Sequence, residues 1–531
     1  MKLVINGLSL DPAQKTDFLK TIIFKKYQLK VEDFIILRRS LDARKKDKIV
    51  YHYKILIEVA TDYGPELLKN KEITEYLVPE EYSPKKIKKK LEVIIVGAGP
   101  ACLMAALRLV DSGANVKIFE RGEVLEERIK DVSLLREQGI LNEESNILFG
   151  EGGAGTFSDG KLYSRIKVPE VNWFYQKLVD LGASSSILYE AKPHLGTDRL
   201  RVIVKNLRKE LQKKGVEFYF NEKVTDFLEK EGQIRGIRTA RGREIISSSV
   251  ILATGHSARD IYQLLADKNI VLDKKSFAVG LRVEHPASLI RDSQYGRSAY
   301  KDTLPPAEYV LTYKNKKTGR GVYSFCMCPG GEIVNASSKQ GMLNLNGMSF
   351  SRRDGFFSNS AIMVTISKDD LEEDVLAGIR FQEKLEKAAF QAGGGEFLAP
   401  IQSIPSFYEK KLDKRTSGTS KGVNSFWETG SSYKPGTRPA DFNIFLPNWL
   451  ILELKEALVN FNQKIKGFSG EQGFLIGIET RSSSPVRISR GDDFQSLNLK
   501  GLFPVGEGAG YSGGIVSSAL DGLRVADYMV S

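Results

Sequence analysis

The chain has 531 residues, 41% apolar and 27% charged, with a formal net charge of +12. That length allows two or three separately cored domains, and no run approaches the roughly eighteen apolar residues of a membrane span. Three cysteines exclude a disulfide framework, no zinc-ligand spacing occurs, and no metal site is expected.

Met1 to Leu10 lacks the basic-then-apolar layout of a signal peptide, so a reducing cytoplasm is the simplest location. The first 80 residues read as a small α+β, ferredoxin-like module. Strands are expected at Lys2–Asn6, Val31–Leu37 and Val50–Val59, with a helix over Asp11–Lys26 capped by Asp11 and opened by Pro12. Residues 81–90 form a linker carrying Lys85, Lys86, Lys88, Lys89 and Lys90. Its charge has two readings: a solvated face, which we favour, and a contact with nucleic acid or an anionic surface.

Residues 91–121 carry the densest information. Val93 to Val96 is an apolar, β-branched strand, and Gly97 permits the tight turn after it. Gly99 lets the backbone approach a pyrophosphate, and the helix from Pro100 and Ala101 aims its N-terminal N–H groups there. Val116 to Phe119 is the next strand. Glu120, 23 residues after Gly97, stands where a carboxylate takes both hydroxyls of an adenosine ribose, with Arg121 beside it. The third glycine of the usual pattern is replaced by Cys102, small enough for close helix–strand packing. Strand, turn, helix, strand and acid in register indicate a dinucleotide. Phe149 to Arg165 is a glycine-rich loop whose backbone N–H groups, at Gly152 and Gly153 among others, suit a pyrophosphate or a flat ring.

Gly215–Phe227 reads as a strand, and 234–240 with 243–248 as a hairpin around Arg241-Gly242. Val250 to Gly255 is an apolar strand ending in Ala-Thr-Gly, with His256 next. The stretch 266–479 reads as an inserted mixed α+β substrate domain, with strands at 277–284, 308–313, 321–327 and 361–367 and helices at 372–391 and 448–466. Cys326 and Cys328 fall two apart on a strand and read as small buried hydrophobes. Residues 480–531 return to the first sheet: a strand ends at Gly506, Glu507 follows, and a glycine-rich turn at Gly513 and Gly514 opens a helix at Ile515.

The segments at 91–121 and 501–529 resemble the FAD-binding signatures of the glutathione-reductase-type flavoprotein superfamily. The resemblance implies that Glu507 holds a ribityl hydroxyl of FAD and that the helix after Gly514 points at the flavin pyrimidine. It also implies that Val224 meets the adenine through its backbone, and that Thr254 and Gly255 close the nucleotide-binding layer. Along nearly its whole length the chain is similar to a family of bacterial FAD-dependent dehydrogenases with a short N-terminal α/β domain. The shared segments are Ser40–Arg44, Ser324–Gly331, Asn346–Ser349 and Glu479–Arg487.

The fold expected is therefore α/β, with a discontinuous Rossmann-like FAD domain (91–265 and 480–531) around the insert. Within the insert no second intact Gly-x-Gly-x-x-Gly lies on a strand–helix unit, so NAD(P)H stays open only as a transient electron donor. Arg481 and Arg487, just before the last strand, are the expected stabilisers of negative charge at flavin N1–O2. The function expected is hydride transfer between flavin N5 and a small organic substrate. The alternatives are a flavin-dependent RNA-modifying enzyme and a non-catalytic flavin-binding or partner-binding protein. The sequence leaves substrate and oligomeric state open.

Overall fold

The computed structural model describes residues 1–60, 64–82, 90–296, 298–409 and 431–531. The lysines at 85, 86, 88 and 89 lie outside these residues.

The first strands are β1 (Lys2–Leu10), β2 (Ile35–Asp42), β3 (Val50–Glu58) and β4 (Ile73–Glu75). They form an antiparallel sheet in the order β2-β3-β1-β4. Helix α1 (Phe18–Tyr27) buries Leu19 and Ile23 in one cluster with Leu3, Ile5 and Ile55. It starts later than the sequence suggests. Asp11 accepts the Ala13 N–H at 2.9 Å in a local turn instead of capping the helix. The free edge of β2 is bridged by residues 189–191, with Ala191 N donating to Arg39 O at 2.9 Å and Arg39 Nε to Glu190 at 2.7 Å.

The next strands are β5 (Glu92–Val96), β6 (Asn115–Phe119), β7 (Glu217–Tyr219), β8 (Val224–Lys230), β9 (Gln233–Thr239), β10 (Glu244–Ile246) and β11 (Val250–Leu252). The strand expected over 215–227 is in fact two, β7 and β8, in different sheets. The break falls at Asn221, whose φ of 52° is left-handed. With β23 (Leu502–Pro504), a parallel sheet forms in the order β23-β11-β5-β6-β7. Alternation along β5 divides its contacts. Val93 and Ile95 join the core under helices α2 (Pro100–Asp111) and α7 (Ile515–Val530), whereas Ile94 and Val96 face the β8–β10 side. The two helices cross so closely that a Cβ on Gly522 would stand 2.0 Å from Ala101 O. Between these crossings run α3 (Leu125–Gln138), α4 (Thr197–Lys213) and α5 (Arg259–Asp267).

A second, mostly antiparallel sheet is built between residues 277 and 479. Its strands are β13 (Phe277–Pro286), β14 (Thr312–Lys314), β15 (Gly321–Cys328), β18 (Phe357–Ile366), β19 (Ala399–Ser403), β20 (Thr437–Pro439) and β21 (Phe474–Glu479). Their order is β14-β15-β18-β13-β21-β19-β20. Short β12 (Leu272–Lys274) and β22 (Val486–Ile488) pair with each other, as do β16 (Glu332–Asn335) and β17 (Leu345–Met348). Helix α6 (Ala377–Ala392) packs on this sheet through Leu385 and Ala389.

Strand β13 is buried throughout, polar residues included. Arg282 donates to Glu479 at 2.9 Å. His285 is bonded through Nε2 to Phe468 O at 2.7 Å, and burial holds it neutral, with a pKa lowered to about 4. Its contribution to stability is full above the ordinary pKa of about 6.5 and is lost as pH falls toward about 4, because only the unfolded chain takes up the proton. The loss reaches about 3 kcal/mol. His285→Asn, which keeps a donor, should melt below wild type at pH 8. The gap should narrow between pH 6.5 and 4 in thermal scans. Parallel curves would remove His285 from the acid response.

Candidate functional site

The carboxyl ends of β5, β6, β11 and β23 open into one cavity of about 570 Å³, where ligands of open parallel sheets bind. Of the residues expected to hold a dinucleotide, Gly97, Gly99, Pro100, Ala101, Glu120, Arg121, Gly153, Val224, Thr254, Gly255, Gly506, Glu507, Gly513, Gly514 and Ile515 all line it. Gly152 does not. Its N–H donates to Ala98 O at 2.9 Å and ties the glycine-rich loop to the β5 turn.

Gly97, at φ +103°, turns β5 against β11, where a Cβ would stand 2.4 Å from Ala253 O. Glu120 is 6% exposed at the end of β6. Its carboxylate accepts the N–H of Ala98 at 2.8 Å, of Gly122 at 2.9 Å and of Gly150 at 2.9 Å. The acid expected at the ribose thus fixes three turns around itself. Arg121 lies 4.6 Å from the Phe149 ring and pairs with Asp260 at 2.6 Å.

From Glu120 the loop follows the cavity. Gly150 meets Glu120, and a Cβ on Gly153 would stand 3.0 Å from Gly99 Cα. A Cβ on Gly155 would stand 3.1 Å from the Ile515 side chain, so the loop passes from the N-terminus of α2 to that of α7. Neither helix has an acid in its first turn, so their N–H dipoles reach the cavity uncompensated. Glu507 lies between them, with His256 Nδ1 3.6 Å from its carboxylate.

Arg481 and Arg487 are not brought to this cavity. Arg481 is buried and grips Glu386 with Nε at 2.9 Å and Nη2 at 2.8 Å. Arg487 points outward on β22 and stacks on Tyr511 at 5.3 Å. A side chain on the run into the last strand need not face the strand's end, and each guanidinium has a nearer partner. A cation on the cavity that the sequence did not single out is Lys161, at the end of the glycine-rich loop. Its ammonium donates to Met327 O and lies 3.6 Å from Asp159. Burial opposes its charge, but Asp159, joined by Cys328, Cys326 and Glu308, leaves its pKa raised. Asp159 is held in turn by Arg353 and Ser349.

Cys328 is buried, as expected, but Cys326 is exposed, on the cavity wall. A register shift between Phe325 and Cys328 in the β15–β18 ladder, with Cys326 at φ 43°, turns its side chain out. It is enclosed by protein on its other sides, and this burial pushes its thiol up to about 12. Phe325, Asn346 and Ser482 complete this wall. A strand bulge has no signal in residue type, which is why alternation misread Cys326. Among the described residues no group of three metal-binding side chains occurs, and no helix is long and apolar enough to cross a membrane.

Glu120, the two helix N-termini and the glycine-rich loop thus line one elongated cavity, and the chain can be compared with known proteins. The description "FAD-dependent protein, C-terminal domain-like" matches residues 276–482, and "FAD dependent oxidoreductase" matches 198–323. A domain of unknown function matches 1–58. An "uncharacterized protein" of Clostridium beijerinckii is 39% identical over 537 residues, covering 100% of this chain and 99% of its own. The chain belongs to this family of FAD-dependent oxidoreductases, and FAD is its cofactor.

Among solved structures, CtdE in complex with FAD covers 82% of this chain and 84% of its own at 13% identity and TM-score 0.32. The flavin-dependent brominase Bmp2 covers 83% and 79% at 12% identity and TM-score 0.34. Scores this low assign no activity.

Glu120→Ala removes three hydrogen bonds to a buried carboxylate. Stability should fall by about 2–4 kcal/mol, and FAD affinity on the order of tenfold or more. Chemical denaturation and FAD titration measure the two. A loss of affinity with no loss of stability would make the turn contacts incidental.

Proposed function

We propose that this protein is an oxidoreductase of the glutathione-reductase type, moving a hydride between FAD and a small organic substrate seated against the cap-side wall. The observation that carries the reading is the continuity of the cavity: one wall offers the dinucleotide determinants, and the other offers Lys161, Cys326 and Asn346. FAD, when bound, supplies a two-electron acceptor or donor at its N5.

The chain's residues do the rest. Glu120 and Val224 hold the adenosine end. Gly99, Gly153 and the start of α2 receive the pyrophosphate, whose charge the helix dipole favours. Glu507 takes a hydroxyl of the ribityl chain. The N-terminus of α7 places positive potential at the ring end. Lys161, kept protonated by Asp159, adds a full positive charge on the opposite wall. Cys326 remains a thiol at neutral pH, so it offers a proton rather than a thiolate to whatever lies against it. The apolar ring of Phe325 excludes water beside it.

Anaerobic mixing with NADH, NADPH and a panel of small metabolites tests the reading. At least one should bleach the visible flavin absorbance by two electrons. If none does while dithionite does, hydride transfer is not the reaction. Lys161→Met should make flavin reduction harder by about 20–40 mV, from about 1–2 kcal/mol of lost electrostatic stabilisation, with FAD still bound. An unchanged midpoint potential would move the flavin ring away from Lys161.

A further inference from the structure

A second cavity, of about 100 Å³, lies behind the glycine-rich loop, between α3, α4 and the β16–β17 hairpin. Its walls are largely apolar, with Ile129, Val132 and Met348 among them. Two of its polar side chains nevertheless lack partners. Arg201 Nε is buried with no hydrogen bond, and its guanidinium rests 4.6 Å from the Phe157 ring. The acids that could neutralise Arg201 are taken. Asp198 accepts Ser351 N at 2.7 Å and Ser351 Oγ at 2.6 Å. Glu332 receives both arms of Arg136, at 2.9 and 2.8 Å. Asn335 is 4% exposed. Its Oδ1 accepts Ser337 N at 3.0 Å, but its Nδ2 is buried without an acceptor. The nearby Tyr433 hydroxyl is influenced by Asn335 and donates its own proton to Phe397 O.

Arg136, Arg201 and Lys434 thus line one small space, and the carboxylate nearest Arg136, Glu332, is taken up by it. A half-buried guanidinium without a counterion is costly. Burial and the neighbouring Arg136 push the Arg201 pKa down against a partial offset from Asp198 and Glu332, and an anion in the cavity would relieve both effects.

We propose that this cavity binds a small oxyanion, gripped by the Arg201 fork and the Asn335 amide. The space admits a group the size of phosphate or acetate and excludes a nucleotide. Phe157 forms one wall and ends the turn Ala154–Phe157, whose first residues line the FAD cavity. An occupied site would therefore brace that loop from behind.

Isothermal titration of the FAD-loaded protein tests this at constant ionic strength, with sodium phosphate in one arm, sodium acetate in another and sodium chloride as the balance. One saturable site per chain is expected in at least one arm, weakened tenfold or more in Arg201→Met and several-fold in Asn335→Ala, with FAD content unchanged. Saturation with phosphate alone would assign a phosphate site, and with acetate alone a carboxylate site. No saturable binding in either arm would overturn the proposal, as would equal binding by wild type and Arg201→Met. If Arg201→Met does not retain FAD, Arg201→Lys decides: it keeps the charge and loses the fork, so binding as tight as wild type overturns the proposal.

Discussion

Glu386 has no solvent contact and lies between two guanidiniums. Arg259 donates both of its Nη atoms at 2.8 Å, and Arg481 grips the same oxygens from the other side. Burial alone would neutralise such a carboxyl. The two arginines outweigh burial and hold it well below its ordinary range. The three residues belong to α5, α6 and the segment leaving β21, so one ion cluster ties the parallel sheet to the antiparallel one. Losing Glu386 leaves two buried guanidiniums uncompensated, typically worth about 3–5 kcal/mol. The cluster stands beside the cavity, since Ser482, next to Arg481, is on its wall.

That constraint explains the division of labour among the basic residues. Arginines with fixed partners build the frame: Arg128 donates to three backbone carbonyls, and Arg282 spans Glu479 and Cys326 O. Beside Cys326 the cavity is given a lysine, Lys161, whose compact ammonium acts as a point charge without demanding a planar partner. The end of the cavity beside Arg121 is arranged differently. There Arg121 and Lys223 share Glu144 and Asp260, so the charges are balanced before any ligand arrives.

Much of this was legible in the amino-acid order because backbone geometry forces it. The Gly97–Gly99 turn, the acid at 120 and the glycines at 513 and 514 are dictated by close approach and by helix ends, and local sequence carries such demands. Arg481 and Cys326 were misplaced because their settings are tertiary. The first is captured by a glutamate 95 residues away in the chain. The second is turned by a ladder slip that depends on its neighbour strand. Lys161 was overlooked because its meaning comes from Asp159 and from a carbonyl 166 residues further on.

The order of the parallel sheet has a consequence for synthesis. β23 pairs with β11, and α7 packs on α2, yet about 250 residues separate the two strands and about 400 the two helices in the chain. Until the segment from 502 to 530 has been made, one edge of β11 has no partner and the apolar face of α2 has no cover. A nascent chain must carry that exposed edge and surface past the completion of the whole insert. Such long-range closure is slow and invites wrong pairings. An arrested or clipped chain would present an open β-edge beside half a nucleotide site, which makes it a substrate for chaperones and proteases before it can be a flavoprotein.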